Sequence, residues 1–472
     1  MRFPIWLALL AAASVAAVVL FVGSLLLQPE RPLIVETAFL LETISPNADG
    51  VDDITEFSYT LSENALVSLT FESSDGRVFA FRQNERRAAG DYRVLFSGVV
   101  DGYTLPGETI EGDVLRRLIP NGTYTWRFTA VSPDGGETMT ETGTLVVQEA
   151  DVPLPELVEF TVSPDTFTPN QDGVDDRVMV NVFVTKDAIL DVYLVDENGQ
   201  NIVIPRLNAL RQEGSAGRQT YDYDGGVTVG NEPPPDGEYV VVAEAQDDEG
   251  QVVRREQTLI IEKGGRPLAD IIAQPNSPSV IFEVQPYEDR FFSTIGDDDM
   301  PVLGDLVAPP SDPDSLNAEP ITMRVGDMLV FQLTIENYGA APLRTSGPPP
   351  GTVYQQGQTS ASLGETEQSG VWRVGLQCET SVESYPWRWA IGTEDNLYTE
   401  TDPANGNVYY YLPPGERSVV WGAVRLTDLR ETLNPMDCWA GLIHEDVNIT
   451  TNNANVGRRS IRLAETSTSS TQ

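Results

Sequence analysis

The sequence predicts an all-β protein, in which an N-terminal transmembrane helix is followed by three tandem β-sandwich domains. Three observations predict this: an apolar N-terminal segment, an eight-residue motif that occurs twice, and short strand patterns separated by turns. The expected segments, in order, are a transmembrane helix at 1–30, repeats at 35–150 and 154–263, an irregular linker at 264–320, a sandwich at 321–465 and a disordered tail at 466–472.

The N-terminal segment is apolar from residue 4 to residue 27, apart from Ser14, Gly23 and Ser24. About 20 such residues cross a hydrocarbon core of roughly 30 Å, so a single membrane-spanning anchor is expected. Arg2 on the short N-terminal side predicts that the rest of the chain is extracytoplasmic, at the cell surface. A cleaved signal peptide is the alternative, but its apolar core usually has about 7–15 residues.

The charge balance limits the class of partner. There are 71 acidic and 30 basic residues, which gives a formal net charge of −41. Such a surface repels nucleic acids, so no nucleic-acid partner is expected. The remaining candidate partners are the membrane, through the N-terminal helix, and surface proteins or glycans.

Two cysteines, Cys378 and Cys438, are the only ones in the sequence. In an exported chain a lone pair is typical of one disulfide, and two free thiols are the alternative. Closing a loop of this length stabilises a fold by about 4 kcal/mol in the chain-entropy model.

Strand patterns dominate the sequence after Leu27. Tyr124, Trp126 and Phe128 alternate with polar residues, which is the period of a half-buried strand. Turn signals such as Ser74-Asp-Gly76 follow the strands closely. Short strands joined by turns in units of about 100 residues predict β-sandwiches.

The duplicated motif is Pro-Asn-x-Asp-Gly-Val-Asp-Asp, at residues 46–53 and 169–176. The offset of 123 residues also holds for later alanine and glycine positions, which indicates a duplicated domain. The first copy carries extra residues around 107–118, which we expect in a surface loop at one end of its sandwich.

The motif places side-chain oxygens around a glycine, as calcium loops do. The candidate calcium ligands are Asn47, Asp49, Asp52 and Asp53 in the first copy and Asn170, Asp172, Asp175 and Asp176 in the second. The alternative is an Asx-rich turn, whose side chains bond neighbouring backbone amides and cap the first strand.

Both copies resemble bacterial extracytoplasmic Ig-like repeats, such as the Ig-like domain of the flagellar hook-cap protein, which begin with Thr-Pro-Asn-x-Asp-Gly-x-Asn-Asp. The later Trp-Asp-Gly and Pro-Asp-Gly-x-Tyr cues of that family are matched by Tyr223-Asp-Gly225 and Pro235-Asp-Gly-Glu-Tyr239. The first copy departs from them at Phe96-Ser-Gly98 and Pro120-Asn-Gly-Thr-Tyr124. The resemblance covers about residues 35–262 and implies Ig-like sandwiches that serve as surface modules.

The third domain is similar to adhesion-type bacterial Ig-like domains, in which one strand ends in Asn-x-Gly and a later strand opens with Pro-Gly-Glu. Here these cues are Asn337-Tyr-Gly339 and Pro414-Gly-Glu416. The resemblance implies a third Ig-like sandwich with an adhesive role.

Catalysis is not expected. The single histidine, His444, lies near the end of a strand pattern and is interpreted as an edge residue, and no catalytic motif accompanies it. The predicted function is a structural or adhesive protein, with no cofactor other than calcium.

The alternative function is a glycan-binding module. Trp387 and Trp389 share one strand face and would form a stacking platform if exposed, or part of the core if buried. A hydrolase built on paired carboxylates ranks third, because no spacing of acidic residues indicates one.

Overall fold

The computed structural model describes residues 5–26, 31–207, 214–273, 278–297, 300–311, 319–403 and 405–465. The all-β prediction is confirmed, since strands form nearly all of the regular structure after helix α1 (Ile5–Leu26). Within these residues no helix is long and apolar enough to cross a membrane, so the predicted transmembrane helix is not supported. The tail predicted at 466–472 lies outside the described residues.

The first repeat packs a three-stranded sheet, β1-β3-β6, against a five-stranded sheet, β2-β10-β9-β4-β5. Alternate residues of these strands are buried, as in β3, and they form one core that includes Phe57, Phe71 and Trp126. The strands are β1 (Ile34–Phe39), β2 (Thr43–Ile44), β3 (Thr55–Leu61), β4 (Ala65–Ser73), β5 (Val78–Arg87), β6 (Gly90–Phe96), β7 (Val99–Asp101), β8 (Asp113–Leu118), β9 (Gly122–Val131) and β10 (Thr138–Val147).

The second repeat has the same plan, with a three-stranded sheet β11-β13-β16 facing a larger sheet around β14, β17 and β18. The registers match: Leu61 pairs with Gly90 in the first repeat, and Val184 pairs with Gly217 in the second. The strands are β11 (Leu157–Ser163), β12 (Thr166–Phe167), β13 (Val178–Val184), β14 (Ile189–Val195), β15 (Asn201–Val203), β16 (Gly217–Tyr223), β17 (Gly237–Gln246) and β18 (Val252–Ile261).

The extra residues of the first repeat do not form a free surface loop. Strands β7 and β8 form a hairpin, and β8 pairs antiparallel with β18 of the second repeat. The larger sheet of the second repeat therefore runs β15-β14-β17-β18-β8-β7, with β12 also paired to β18. The segment is therefore part of the neighbouring repeat's sheet.

The third domain contains two large sheets, β19-β24-β31-β26 with β20 beside β24, and β23-β33-β32-β27-β25-β30-β29 with β28 beside β27, and a two-stranded sheet, β21-β22. Its strands are β19 (Ala269–Ile271), β20 (Val280–Gln285), β21 (Thr294–Ile295), β22 (Pro301–Val302), β23 (Ile321–Arg324), β24 (Met328–Asn337), β25 (Leu343–Thr345), β26 (Val353–Gln355), β27 (Trp372–Cys378), β28 (Trp387–Ala390), β29 (Tyr398–Thr401), β30 (Val408–Leu412), β31 (Arg417–Arg425), β32 (Met436–His444) and β33 (Val456–Ala464). Short 3-10 helices span Val227–Val229, Asp289–Phe291, Ser360–Leu363, Glu431–Leu433 and Thr451–Asn453.

The predicted linker at 264–320 is therefore too long. Strands β19 and β20 both pair with β24, and Ile271 and Val280 belong to the core of the third domain. These strands were missed because they are short and separated by polar loop sequence. The third domain begins directly after Lys263-Gly-Gly-Arg-Pro267.

The predicted disulfide is confirmed. Cys378 on β27 and Cys438 on β32 are directly opposed in the antiparallel register, and their sulfur atoms are bonded. Both residues belong to the main core of the third domain.

Candidate functional site

The two motif loops share several internal hydrogen bonds but not all of them. In the first, the Asp53 carboxylate accepts the amide N–H groups of Asn47, Ala48 and Gly50, at 3.1, 3.0 and 2.6 Å. In the second, the Asp176 carboxylate accepts those of Asp172 and Gly173, at 3.0 and 2.6 Å. These are the bonds of an Asx-rich turn, in which side-chain oxygens satisfy backbone donors.

The backbone explains the residue types in the motif. Gly50 and Gly173 have φ of 87° and 82°, in the left-handed region that glycine adopts without steric cost. Asp52 and Asp175 follow at 56° and 49°, a conformation that aspartate and asparagine tolerate better than most residues. The repeated motif is thus accounted for by turn geometry.

The calcium hypothesis receives no support from this geometry. Among the described residues, no three His, Cys, Asp or Glu side chains come together as a metal-binding group. The Asp53 and Asp176 oxygens are directed at amides of their own loops. Calcium binding therefore stays a hypothesis, and the hydrogen bonds favour its alternative, the Asx-rich turn.

The surroundings of the two loops differ sharply. The first loop is exposed, and a Cβ at Gly50 would meet nothing within 4 Å. The second loop packs against the third domain, where a Cβ at Gly173 would lie 2.2 Å from the carbonyl oxygen of Ser369. The second loop is therefore part of an interdomain joint.

Side chains of the third domain complete that joint. The Tyr411 hydroxyl donates to Asp172 Oδ2 at 3.1 Å, and His444 Nε2 lies 2.8 Å from the carbonyl oxygen of Gln171. Lys263 and Glu400 form an ion pair across the same joint, at 2.5 Å. We call the contacts of residues 169–176 and Lys263 with the third domain the distal joint.

Burial in the distal joint changes the acidity of the loop. Desolvation and then the neighbouring Asp172 carboxylate raise the pKa of Asp176 to about 7. Desolvation also raises the pKa of Asp172. At Asp53 desolvation acts to raise the pKa, but the amide hydrogen bonds together outweigh it and hold the pKa below its usual value.

His444 is not an edge residue, because β32 lies between β33 and β27 and the side chain is buried in the distal joint. Its ring stacks on Trp372, with centroids 4.3 Å apart. Desolvation lowers the pKa of His444 to about 4, against the opposing effect of backbone hydrogen bonds at Gln171 and Gly370. At neutral pH the ring is uncharged and donates to the Gln171 carbonyl.

A second joint connects the two repeats, and its centre is Gln251, which is fully buried. Its side-chain oxygen accepts the Leu118 N–H of the first repeat, at 3.2 Å. Its side-chain nitrogen donates to the carbonyl oxygens of Asp151 and Pro153 in the connection between the repeats, at 3.1 and 2.9 Å. One side chain thus ties together both repeats and their connection. We call these contacts, with the β8–β18 pairing, the proximal joint.

Lys186 adds charge pairing to the proximal joint. Its ammonium group lies 2.8, 2.9 and 2.7 Å from carboxylate oxygens of Asp151, Asp247 and Glu249. Desolvation would lower the Lys186 pKa, but the hydrogen bonds that its ammonium group donates to the three carboxylates outweigh it and raise the pKa. Lys186 therefore stays positively charged. It links Asp151 in the connection to Asp247 and Glu249 in the second repeat.

Trp387 and Trp389 do not form an exposed stacking platform, so the glycan site suggested for them is wrong. Trp387 and Trp389 are 1% and 0% exposed. Trp389 packs edge-on against Phe331 and donates its indole N–H to the Thr352 carbonyl oxygen at 3.0 Å. Both side chains face the core because they share the inward face of β28.

The comparisons with known proteins add little. No protein-family model matches the sequence, and no curated protein matches it. The chain is similar to a solved structure described as a tetra-tandem repeat in the extending region of a large adhesion protein, with 12% identity and a TM-score of 0.16. The alignment covers 90% of this chain and 98% of that one. At this identity and TM-score the similarity carries no argument about fold or function.

Proposed function

We propose that this protein is a non-catalytic, extracytoplasmic structural or adhesive protein, whose two Ig-like repeats hold the C-terminal sandwich in a fixed orientation. The observation that carries the proposal is the construction of the two joints. Each joint is closed by buried polar contacts, around Gln251 in one and around Asp172 and Tyr411 in the other. Flexible tethers do not need such contacts, because buried polar groups are costly unless they are paired.

The proximal joint is also closed by backbone pairing. Strand β8 of the first repeat extends the sheet of the second, so bending at this point would break ladder hydrogen bonds. A Cβ at Gly112 would lie 2.4 Å from the Arg254 carbonyl oxygen, which reflects how closely the two backbones approach. These contacts favour a fixed distance and angle between the first and second repeats.

Two further features support the proposal. A disulfide in the core of the third domain fits an oxidising compartment outside the cytoplasm. The single histidine is packed into the distal joint with its ring neutral, which gives it a structural role. The glycan-binding alternative loses its platform, because Trp387 and Trp389 lie in the core.

The distance between the first repeat and the third domain tests the proposal. Spin labels on cysteines introduced at Val78 and Val408, which are 62% and 50% exposed, report it by pulsed electron resonance. We expect a narrow distance distribution in the otherwise native chain. We expect a broader one when Gln251→Ala or Tyr411→Phe loosens a joint.

The matched control is Asn64→Ala, which removes an exposed side-chain amide that accepts the Ala89 N–H within the first repeat, at 3.0 Å. This variant should keep the narrow distribution. A broad distribution in the native chain would show that the joints flex and would remove the proposed role.

A further inference from the structure

The first segment and the last strand of each repeat lie side by side and run in the same direction. In the first repeat β2 pairs in parallel with the end of β10, and in the second β12 pairs in parallel with the end of β18. A pull along the chain enters a repeat at its first segment and leaves it at its last strand, so it slides these paired strands past each other. Because the bonds of a parallel pair are evenly spaced, such a load shears several of them at once.

Three backbone hydrogen bonds join the two segments in the first repeat, and the later segment donates each of them. They run from Val146 to Glu42, from Gln148 to Ile44 and from Asp151 to Pro46, at 2.8, 3.0 and 3.0 Å. The side chains of Ile44 and Val147 are buried in the core beneath this pairing.

The second repeat has the same three bonds at the equivalent positions. They run from Ile260 to Asp165, from Glu262 to Phe167 and from Gly265 to Pro169, at 2.9, 3.1 and 3.1 Å. In both repeats the last acceptor is the carbonyl oxygen of the proline that begins the duplicated motif. The motif therefore lies at the point where the chain enters and leaves the repeat.

The motif loop of the first repeat fixes this proline on both sides. The residue before it, Ser45, donates from its N–H to the Asp52 carbonyl oxygen and from its hydroxyl to the Val51 carbonyl oxygen, both at 2.9 Å. The residue after it, Asn47, donates its N–H to the Asp53 carboxylate at 3.1 Å. The loop thus holds the proline carbonyl in place as an acceptor.

The bonds of Ser45 recur in the second repeat. Thr168 donates from its N–H to the Asp175 carbonyl oxygen at 2.9 Å and from its hydroxyl to the Val174 carbonyl oxygen at 2.6 Å. The proline of the second motif is therefore fixed on its N-terminal side in the same way.

One more side chain holds the chain where it leaves each repeat. In the first repeat Ala150 N–H donates to Asn121 Oδ1 at 2.9 Å. In the second repeat Asp236 accepts Gly264 N–H at 2.9 Å through Oδ1 and Lys263 N–H at 2.8 Å through Oδ2. We call these side-chain bonds, together with the three backbone bonds of the same repeat, the exit latch of that repeat.

We propose that the two exit latches bear load, so that each one resists a pull along the chain, and that the motif loop serves to fix the proline carbonyl of the latch. This inference rests on the proposed structural or adhesive role, in which the chain is held at one end and pulled at the other. It gives the motif a function in the first repeat, where the loop is exposed and lies outside the two joints.

The position of a hydrogen bond decides its effect under load. Forced unfolding is governed by the unfolding rate, and the latch bonds have to break before the repeat can extend. Losing one latch bond should therefore speed the unfolding of that repeat at constant force about five-fold. A bond of equal strength away from the first and last strands should leave this rate unchanged.

Optical tweezers on the full chain test the proposal, with the pull applied through tags at the two ends and a mild detergent covering the exposed apolar side chains of α1. Asn121→Ala removes the latch acceptor of Ala150 N–H and should speed the unfolding of the first repeat about five-fold. Asn64→Ala is the matched control, because Asn64 is also an exposed asparagine that accepts one N–H, that of Ala89 at 3.0 Å. It should unfold at the native rate.

The variants also identify the unfolding events. Asp236→Ala loses two latch bonds and should speed the unfolding of the second repeat more than Asn121→Ala speeds that of the first. Reduction of the disulfide identifies the event of the third domain, because it frees a loop with a sequence separation of 60, which extends to about 200 Å.

Urea unfolding without load separates the latch from ordinary stability. Asn121→Ala and Asn64→Ala each lose one hydrogen bond, so without load their losses of stability should be similar. Equal rates under load for these two variants would overturn the proposal. A loss of stability in urea that by itself accounts for the faster unfolding of Asn121→Ala would also overturn it.

The outcome is independent of the joints, because each exit latch lies within one repeat. A broad distribution of spin-label distances would remove the fixed orientation of the domains but would leave the difference between the two asparagine variants under load. Equal rates under load would instead remove the latch and leave the orientation.

Discussion

The Tyr411 hydroxyl donates a hydrogen bond of 3.1 Å to Asp172 Oδ2, which links the third domain to the motif loop of the second repeat. Asp172 is 5% exposed, so this bond satisfies a carboxylate that water hardly reaches. The equivalent residue of the first repeat, Asp49, is exposed, although it accepts the Val51 N–H just as Asp172 accepts the Val174 N–H. The same turn thus serves as a surface loop in one repeat and as a docking element in the other.

Tyr411→Phe should destabilise the distal joint. The variant keeps the ring but leaves a buried carboxylate oxygen without this donor, which costs about 1–3 kcal/mol. Urea unfolding followed by tryptophan fluorescence, which reports mainly on the third domain, measures the loss.

Tyr410→Phe is the matched control, since Tyr410 is the neighbouring residue on β30 and is only half-buried. It should change the free energy of unfolding by less than about 0.5 kcal/mol. An equal loss in both variants would show that the effect is not specific to the Asp172 contact.

The strands, the duplication and the disulfide could be predicted because each is encoded locally, in residue alternation, repeated turns and paired cysteines. The distal joint could not. Asp49 and Asp172 have nearly identical neighbours in sequence, yet only Asp172 is buried. Its partner Tyr411 lies 239 residues away in the chain, so no local pattern distinguishes the two aspartates.

The proximal joint could not be predicted from the sequence either. Gln251 follows a common turn sequence, Asp248-Glu-Gly250, and nothing local distinguishes it from a surface glutamine. Its burial depends on β8, which comes from the insertion in the first repeat. The only sequence signal for this joint was the insertion around residues 107–118, which is longer than a hairpin loop requires.

The pH dependence of stability should contain two opposed contributions from the distal joint. His444 has its pKa lowered from 6.5 to about 4, so its contribution is full above pH 6.5 and is lost as pH falls towards 4. Asp176 has its pKa raised from 3.8 to about 7, so its contribution is full below pH 3.8 and is lost as pH rises towards 7. Each slope is at most about 1.4 kcal/mol per pH unit.

Two variants separate these slopes when each is compared with the native chain at the same pH. His444→Gln should gain relative stability as pH falls from 6.5 to 4, because the buried imidazole no longer has to stay neutral. Asp176→Asn should gain relative stability as pH rises from 4 to 7. Urea unfolding at a series of pH values measures both trends, and slopes of the same sign would contradict the assignment.

Breaking the disulfide should destabilise the third domain selectively. Cys378→Ser combined with Cys438→Ser releases a loop with a sequence separation of 60, which should cost about 4 kcal/mol. Calorimetry should show a lower melting transition for the third domain and an unchanged transition for the first repeat. Reduction of the native chain is the matched comparison, because it breaks the same bond without replacing sulfur.

Calcium should leave the stability of the repeats unchanged. The Asp53 and Asp176 carboxylates already accept amide hydrogen bonds, so binding an ion would require these bonds to be given up. A site saturated a hundredfold above its dissociation constant would add about 2.7 kcal/mol. That would raise the melting temperature by several degrees in a domain of this size. Thermal melts with added calcium and with a chelator should therefore coincide, and a calcium-dependent rise that disappears in Asp53→Asn would establish the site in the first loop.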